Sequence, residues 1–232
     1  MKVNRHYSVL LASLCILALG SGCARTRQTR NVETTGFLGD YSMLKEGEGK
    51  EAQLVYVKPG LNLAKYKKVY IAPITIMKTE GSDVADLDPE DMQRLADYLY
   101  MALYGQLSQD YTIVSTPGAD VLKLRAAITE ARGTKVILNS VTTSVPQVRT
   151  VSYFSGWATN TSVFVGKAGI EGEISDSRSG ERLMAAVDER VGGKTLRGLG
   201  KWSDVEAAFD LWAKRLRERL QELGGPKPAE SK

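Results

Sequence analysis

The chain has 232 residues, 43% hydrophobic and 25% charged, with a formal net charge of +4. That length suits one domain with a real core, and the charge is too small for a nucleic-acid footprint. The single histidine, His6, and both cysteines, Cys15 and Cys23, lie within the first 23 residues.

Residues 1–22 read as a secretory signal. Lys2 and Arg5 give a positive start, Val9 to Leu19 is an apolar run of 11 residues, and Gly20, Ser21 and Gly22 are small. The run is too short to span a bilayer, which takes about 20 residues. Cys23 follows directly, and this ending resembles a bacterial lipobox. Gly20 stands where the lipobox usually has Leu. The expectation is cleavage before Cys23, with diacylglycerol on its thiol and an N-acyl chain such as palmitate. Several acyl chains anchor stably, at about 0.8 kcal/mol per buried methylene. Ala24 follows, in place of Asp, and by resemblance to enterobacterial lipoprotein sorting this implies the outer membrane, with the domain facing the periplasm. The other reading is an ordinary secreted protein with Cys23 left as a thiol.

Without the signal, 29 Lys and Arg face 27 Asp and Glu, a net charge of +2. No histidine and no unmodified thiol would remain. That excludes Ser-His-Asp catalysis, cysteine nucleophiles, His-ligated zinc and disulfides. No cofactor, no metal and no enzymatic activity are expected.

Residues 23–53 read as a lipid-anchored tether, with Arg25, Arg27 and Arg30 near its start. An apolar motif at 36–44, carrying Phe37, Leu38, Tyr41 and Leu44, is expected to dock the tether onto the domain, with a partner-binding peptide as the other reading. Residues 54–223 read as a single domain and 224–232 as a flexible tail.

Leu54 to Val57 is a short strand, stopped by Pro59-Gly60. Lys67 to Met77 is a longer one, with Pro73 implying an edge or a bulge. A helix follows Asp88, a good N-cap, with Pro89 at its first position and Leu95, Leu99, Leu103 and Leu107 as its stripe. Tyr111 to Ser115 and Val121 to Ala131 are strands, the second with Leu122, Leu124, Ala126 and Ile128 on one face. Ala168 to Asp176 and Arg182 to Val191 form a hairpin around Ser177-Arg178-Ser179-Gly180. Ser203-Asp204-Val205-Glu206 reads as a capping box opening a second helix, with an Asp210–Lys214 pair on its surface. The fold class is therefore α+β, a mainly antiparallel sheet with two amphipathic helices packed on one face.

Gly36-Phe37-Leu38-Gly39-Asp40-Tyr41-Ser42, the strand Lys68-Val69-Tyr70-Ile71-Ala72-Pro73 and Ser175-Asp176-Ser177-Arg178-Ser179-Gly180-Glu181-Arg182-Leu183 resemble a bacterial lipoprotein family classed as domain of unknown function 3313, as does Trp202 before the last helix. The likeness spans roughly residues 36–223. It implies a lipoprotein and carries over no activity and no catalytic residues. The order of elements also resembles the sheet-and-helix domains of other envelope lipoproteins, including curli-type secretion channels, in pattern only.

Gly192-Gly193-Lys194-Thr195 imitates the end of a phosphate loop, but Asp188 stands where the first glycine is required. Lys194, Arg197 and Lys201 are left as a basic loop that could hold an anion. Glu171 and Glu173 share a strand face, and paired carboxylates can hydrolyse glycosides; the plainer reading is two solvated side chains. Residues 136–166 hold one charge, Arg149, and include Tyr153, Phe154, Trp157 and Phe164. They are either strands or a loop covering the sheet, or a membrane or partner contact. A hairpin in lipid requires a ring of copies, because open strand edges cannot sit there.

The leading expectation is a lipid-anchored envelope lipoprotein without enzymatic activity. It would bind or support another envelope protein or a cell-wall component. The alternative is an oligomeric outer-membrane channel or secretion accessory built on residues 136–166.

Overall fold

The computed structural model describes residues 27–29, 31–133, 166–192 and 200–227. Its strands are β1 (Arg27–Gln28), β2 (Lys45–Glu46), β3 (Leu54–Val57), β4 (Lys68–Ile71), β5 (Thr75–Ile76), β6 (Thr112–Val114), β7 (Val121–Arg132), β8 (Lys167–Asp176) and β9 (Arg182–Val191). The helices are α1 (Pro89–Leu107) and α2 (Ser203–Glu222), with a 3-10 turn at Asp83–Asp86. One sheet runs in the order β2-β3-β9-β8-β7-β4-β6, with β1 added to β9 and β5 to β7.

The α+β expectation holds, and the sheet is mixed. β3, β9, β8 and β7 pair antiparallel. β4 runs parallel to both β6 and β7, and β5 parallel to β7. The strand expected over Lys67 to Met77 is broken into β4 and β5. Pro73, with no N–H to donate, falls in the break. Ala72 and Met77 still donate to Leu124 and Ile128 on β7, each at 2.9 Å. The strand interrupted is internal, so Pro73 marks a break and not a sheet edge.

Both helices bury their stripes against one face. Leu95, Leu99, Leu103 and Leu107 of α1 meet Val205, Phe209, Trp212 and Leu220 of α2, over Leu122, Leu124, Ile128 and Ile174 of the sheet. Asp88 caps α1 by accepting from the Asp91 N–H at 2.8 Å. The capping box expected for α2 does not form. Trp202 is the N-cap, without a side-chain cap bond, and Glu206 instead reaches Arg94 on α1 at 2.9 Å. The expected Asp210–Lys214 pair is likewise replaced. Asp210 accepts from the Tyr98 hydroxyl at 3.2 Å, and Lys214 faces Glu218 at 3.9 Å.

The opposite face carries a second, smaller apolar cluster. Leu38, Ala185 and Val187 are buried there, packed by Phe37, Tyr41, Leu44, Leu54 and Tyr56. Residues 31–44 thus lie across β8 and β9, between β1 and β2. Two bulges shape these strands: Thr129 is the extra residue of β7 opposite β8, and Leu183 that of β9.

Candidate functional site

The anchor residue Cys23 and the aromatic set Tyr153, Phe154, Trp157 and Phe164 lie outside the described residues, as do Lys194 and Arg197. The remaining candidates fall on the two faces of the sheet.

On the face away from the helices, Glu171 is not solvated; it is fully buried. Its carboxylate accepts from the Thr35 N–H at 2.6 Å and from the Tyr41 hydroxyl at 2.5 Å. The Tyr41 oxygen in turn accepts from the N–H groups of Gly36 and Leu38, at 2.9 and 3.2 Å. Burial and the bond to Glu171 push the Tyr41 hydroxyl above its usual range, so it stays a donor. Glu173 is held between Arg125 at 2.6 Å and Arg182 at 2.9 Å. Arg182 also donates to the carbonyls of Asp40 at 2.6 Å and Leu38 at 2.5 Å, while the Arg125 guanidinium stacks on Phe37, 4.7 Å from the ring centre. Both carboxylates are committed to holding residues 35–41 on the sheet. Neither is placed as a general acid or nucleophile.

Further along this face, Glu130 is buried and bridged to Lys167 at 3.3 Å, which also meets Glu189 at 2.9 Å. Burial raises the Glu130 carboxyl, with Lys167 opposing. Lys201, the described member of the expected basic loop, is bound to Asp91 at 2.5 Å and lies over Trp202. Gly192 is a cradle for a side chain, since a Cβ there would stand 2.2 Å from the Asp204 carboxylate.

On the helix face a trough of about 620 Å³ opens beside α2. Its cause is a row of small residues in register across the sheet. Ala126 faces Gly172, Gly172 faces Ala186, and Ala186 faces Val55. β8 and β9 are central strands, yet Ile170, Gly172 and Ala186 remain half-exposed. Trp212 and Leu216 of α2 form one wall, and the turn between β2 and β3 forms the far lip. Arg219 closes the lip by meeting Glu51 at 3.2 Å. At one end Asp188 is buried and accepts from the Trp212 indole at 2.6 Å, from Gln28 at 2.7 Å and from Arg190 at 3.2 Å.

One half-buried cation in the trough stands apart, Lys50 being exposed on the lip. Arg215 is half-buried, and its side chain has no ion pair or hydrogen bond with any described residue. Burial and neighbouring Arg190 push its guanidinium below its usual range, against Asp188 and Glu218. Sequence reading had Ala126 on one face of its strand with Leu122, Leu124 and Ile128, and it did not single out Gly172. It missed Arg215, which sits among other charges on α2 with nothing to mark it, and it missed the partners that bury Glu171.

Among the described residues no cluster of His, Cys, Asp and Glu could hold a metal, and no helix is long and apolar enough to cross a membrane. The arrangement can seat an apolar body with a polar head on one face, and it locks an N-terminal segment on the other. These features define an α+β domain with helices over one sheet face and its own N-terminal segment over the other. The chain belongs to the family described as Protein of unknown function (DUF3313), which matches residues 33–216.

No curated protein matches the chain in sequence. Among solved structures, it is similar to the PelC dodecamer from Paraburkholderia phytofirmans in two crystal forms. One has 18% identity and a TM-score of 0.40, covering 70% of this chain and 95% of that one. The other has 15% identity and a TM-score of 0.37, covering 75% and 96%. It is also similar to protein XCC0632 from Xanthomonas campestris, with 9% identity, a TM-score of 0.36 and coverage of 72% and 91%.

Proposed function

We propose that this chain is a lipid-anchored protein of the bacterial outer membrane, facing the periplasm, that works by binding another envelope component and not by catalysis. The observation that carries the reading is the sequence around Cys23. A charged start, an apolar run too short to span, and three small residues lead directly into the cysteine. The chemistry of the body supports it. The two carboxylates that could have formed a glycosidase pair are tied into the packing of residues 35–41. Removal of the signal would leave no histidine and no unmodified thiol. The partner is an envelope protein or a cell-wall component, met through the domain while the acyl chains hold the membrane. Crosslinking in intact cells tests this, comparing the native chain with Cys23→Ser. A discrete adduct that needs Cys23 is expected. Hydrolysis of purified cell wall that is lost on changing Glu171 or Glu173 would contradict it.

A second reading has one specific observation in its favour. β7 and β8 are adjacent and antiparallel out to the pair Arg132 and Lys167. The segment between them, which includes residues 136–166, therefore leaves and re-enters the sheet on neighbouring strands, as the base of a hairpin would. In this reading that segment enters the membrane in a ring of copies. Light scattering on the detergent-extracted protein separates the two: a monomer removes the channel reading, because open strand edges are not tolerated in lipid.

A further inference from the structure

We infer that the trough beside α2 is a binding site for a long-chain fatty carboxylate, with the acyl chain lying along the row Ala126–Gly172–Ala186 and the head group on Arg215. This goes beyond the anchoring reading and does not depend on acylation of Cys23.

The cavity has the size of a ligand site, about 620 Å³, within the range of about 300–1,000 Å³ for small-molecule pockets. Its shape suits a chain. The floor crosses four strands from β7 to β3, three strand spacings or about 14 Å, and no large side chain interrupts the row. Gly172 creates the opening. A glycine inside a central strand weakens that strand and marks a place of close approach. A Cβ here would meet only the Arg125 carbonyl at 3.5 Å, so neither packing nor backbone conformation demands glycine. The floor is apolar and stays half-exposed at Ile170, Gly172 and Ala186, and burying such surface is favourable.

Charge selects the head group. The acids within the trough are occupied: Asp188 by Trp212, Gln28 and Arg190, Glu173 by Arg125 and Arg182, Glu218 by Lys214, and Glu51 and Glu222 by Arg219, while Glu48 is exposed on the lip. Arg215, half-buried, has no such partner among the described residues. A carboxylate matches the planar fork of a guanidinium with two parallel hydrogen bonds and relieves its desolvation. Arg215 is the half-buried cation of the trough, Lys50 being exposed on the lip, and one guanidinium at that depth fits a simple carboxylate better than the larger phosphoglycerol head of a lysophospholipid.

Trp212 on the wall provides the readout. The purified full chain carrying Cys23→Ser is titrated with 9,10-dibromostearate, whose bromines quench tryptophan on contact. Saturable quenching at one equivalent is expected, displaced by laurate and at least tenfold less well by dodecanol, dodecyltrimethylammonium or a lysophosphatidylglycerol. Arg215→Ala should weaken binding at least tenfold with unchanged melting. Gly172→Leu, which fills the floor, should abolish it, with circular dichroism confirming the fold. Absence of saturable quenching, indifference to both substitutions, or equal competition by the cationic, neutral or phosphoglycerol amphiphiles would overturn the assignment.

Discussion

Glu171 illustrates how a residue's surroundings decide its role. On a strand of alternating character it reads as a solvated carboxylate, or at most half of a catalytic pair. The residues that bury it, Thr35 and Tyr41, lie 136 and 130 positions away, and no local pattern announces them. Removing one partner of a buried hydrogen bond costs about 1–3 kcal/mol. Tyr41→Phe should therefore destabilise by about that much in urea unfolding, because Glu171 and the N–H groups of Gly36 and Leu38 all lose a partner. A double-mutant cycle with Glu171→Gln should show positive coupling; additive effects would mean the bond contributes nothing. Asp110 provides a pH prediction. Burial raises its carboxyl, but hydrogen bonds from Arg217, at 2.7 and 2.9 Å, and from Gln221 at 2.6 Å outweigh this, and the net shift is downward. A carboxyl lowered in the folded state adds stability that is present above its unfolded value of about 3.9 and is lost as pH falls through the folded one. Asp110→Asn should flatten the acid limb of a stability–pH curve below about pH 4; an acid limb as steep as that of the native chain would contradict this.

At the scale of elements, what was legible is what is local. Asp88, Pro89 and leucines four apart define α1 without help, and the hairpin of β8 and β9 follows from alternation around Gly180, whose φ of 75° suits glycine. The parallel alignment of β4 with β6 and β7 was not legible, because it depends on a crossover through α1 that no strand encodes by itself. The α2 capping box failed for a tertiary reason: Arg94 draws Glu206 to the other helix. Of the trough only Ala126, alternating with Leu122, Leu124 and Ile128, was legible; the gap at Gly172 depends on cross-strand register, and nothing local marks Arg215. β8 contains a paired test of these packing arguments. At Gly169 a Cβ would fall 2.6 Å from the Thr129 hydroxyl and 2.8 Å from the Glu130 Cβ, inside the β7 bulge. Gly169→Ala should cost about 1–3 kcal/mol through overpacking. Gly172→Ala, three residues along the same strand, should be neutral or stabilising by about 0.4–1 kcal/mol, since the backbone accepts it and the unfolded chain loses freedom. Urea midpoints decide; equal losses at both glycines would show that the trough is closed by packing that the described residues do not account for.

For the whole molecule, the two faces of one sheet divide the labour. The helices cover the β8–β7–β4 half of one face and leave the trough beside α2. The chain's own N-terminal segment covers the other face through Leu38, Tyr41, Glu171 and Arg182. That segment follows the residue proposed as the anchor, so in this account the lipid attachment leads straight into a docked strap instead of a long leash. The claim on which the account turns is the acylation of Cys23, and it is open to direct measurement. The intact mass and N-terminal peptide of the protein extracted from bacterial membranes should show a chain beginning at Cys23, carrying diacylglycerol and one further acyl group, and Cys23→Ser should carry neither. A chain with an unmodified thiol at Cys23, or one that begins elsewhere, would contradict it.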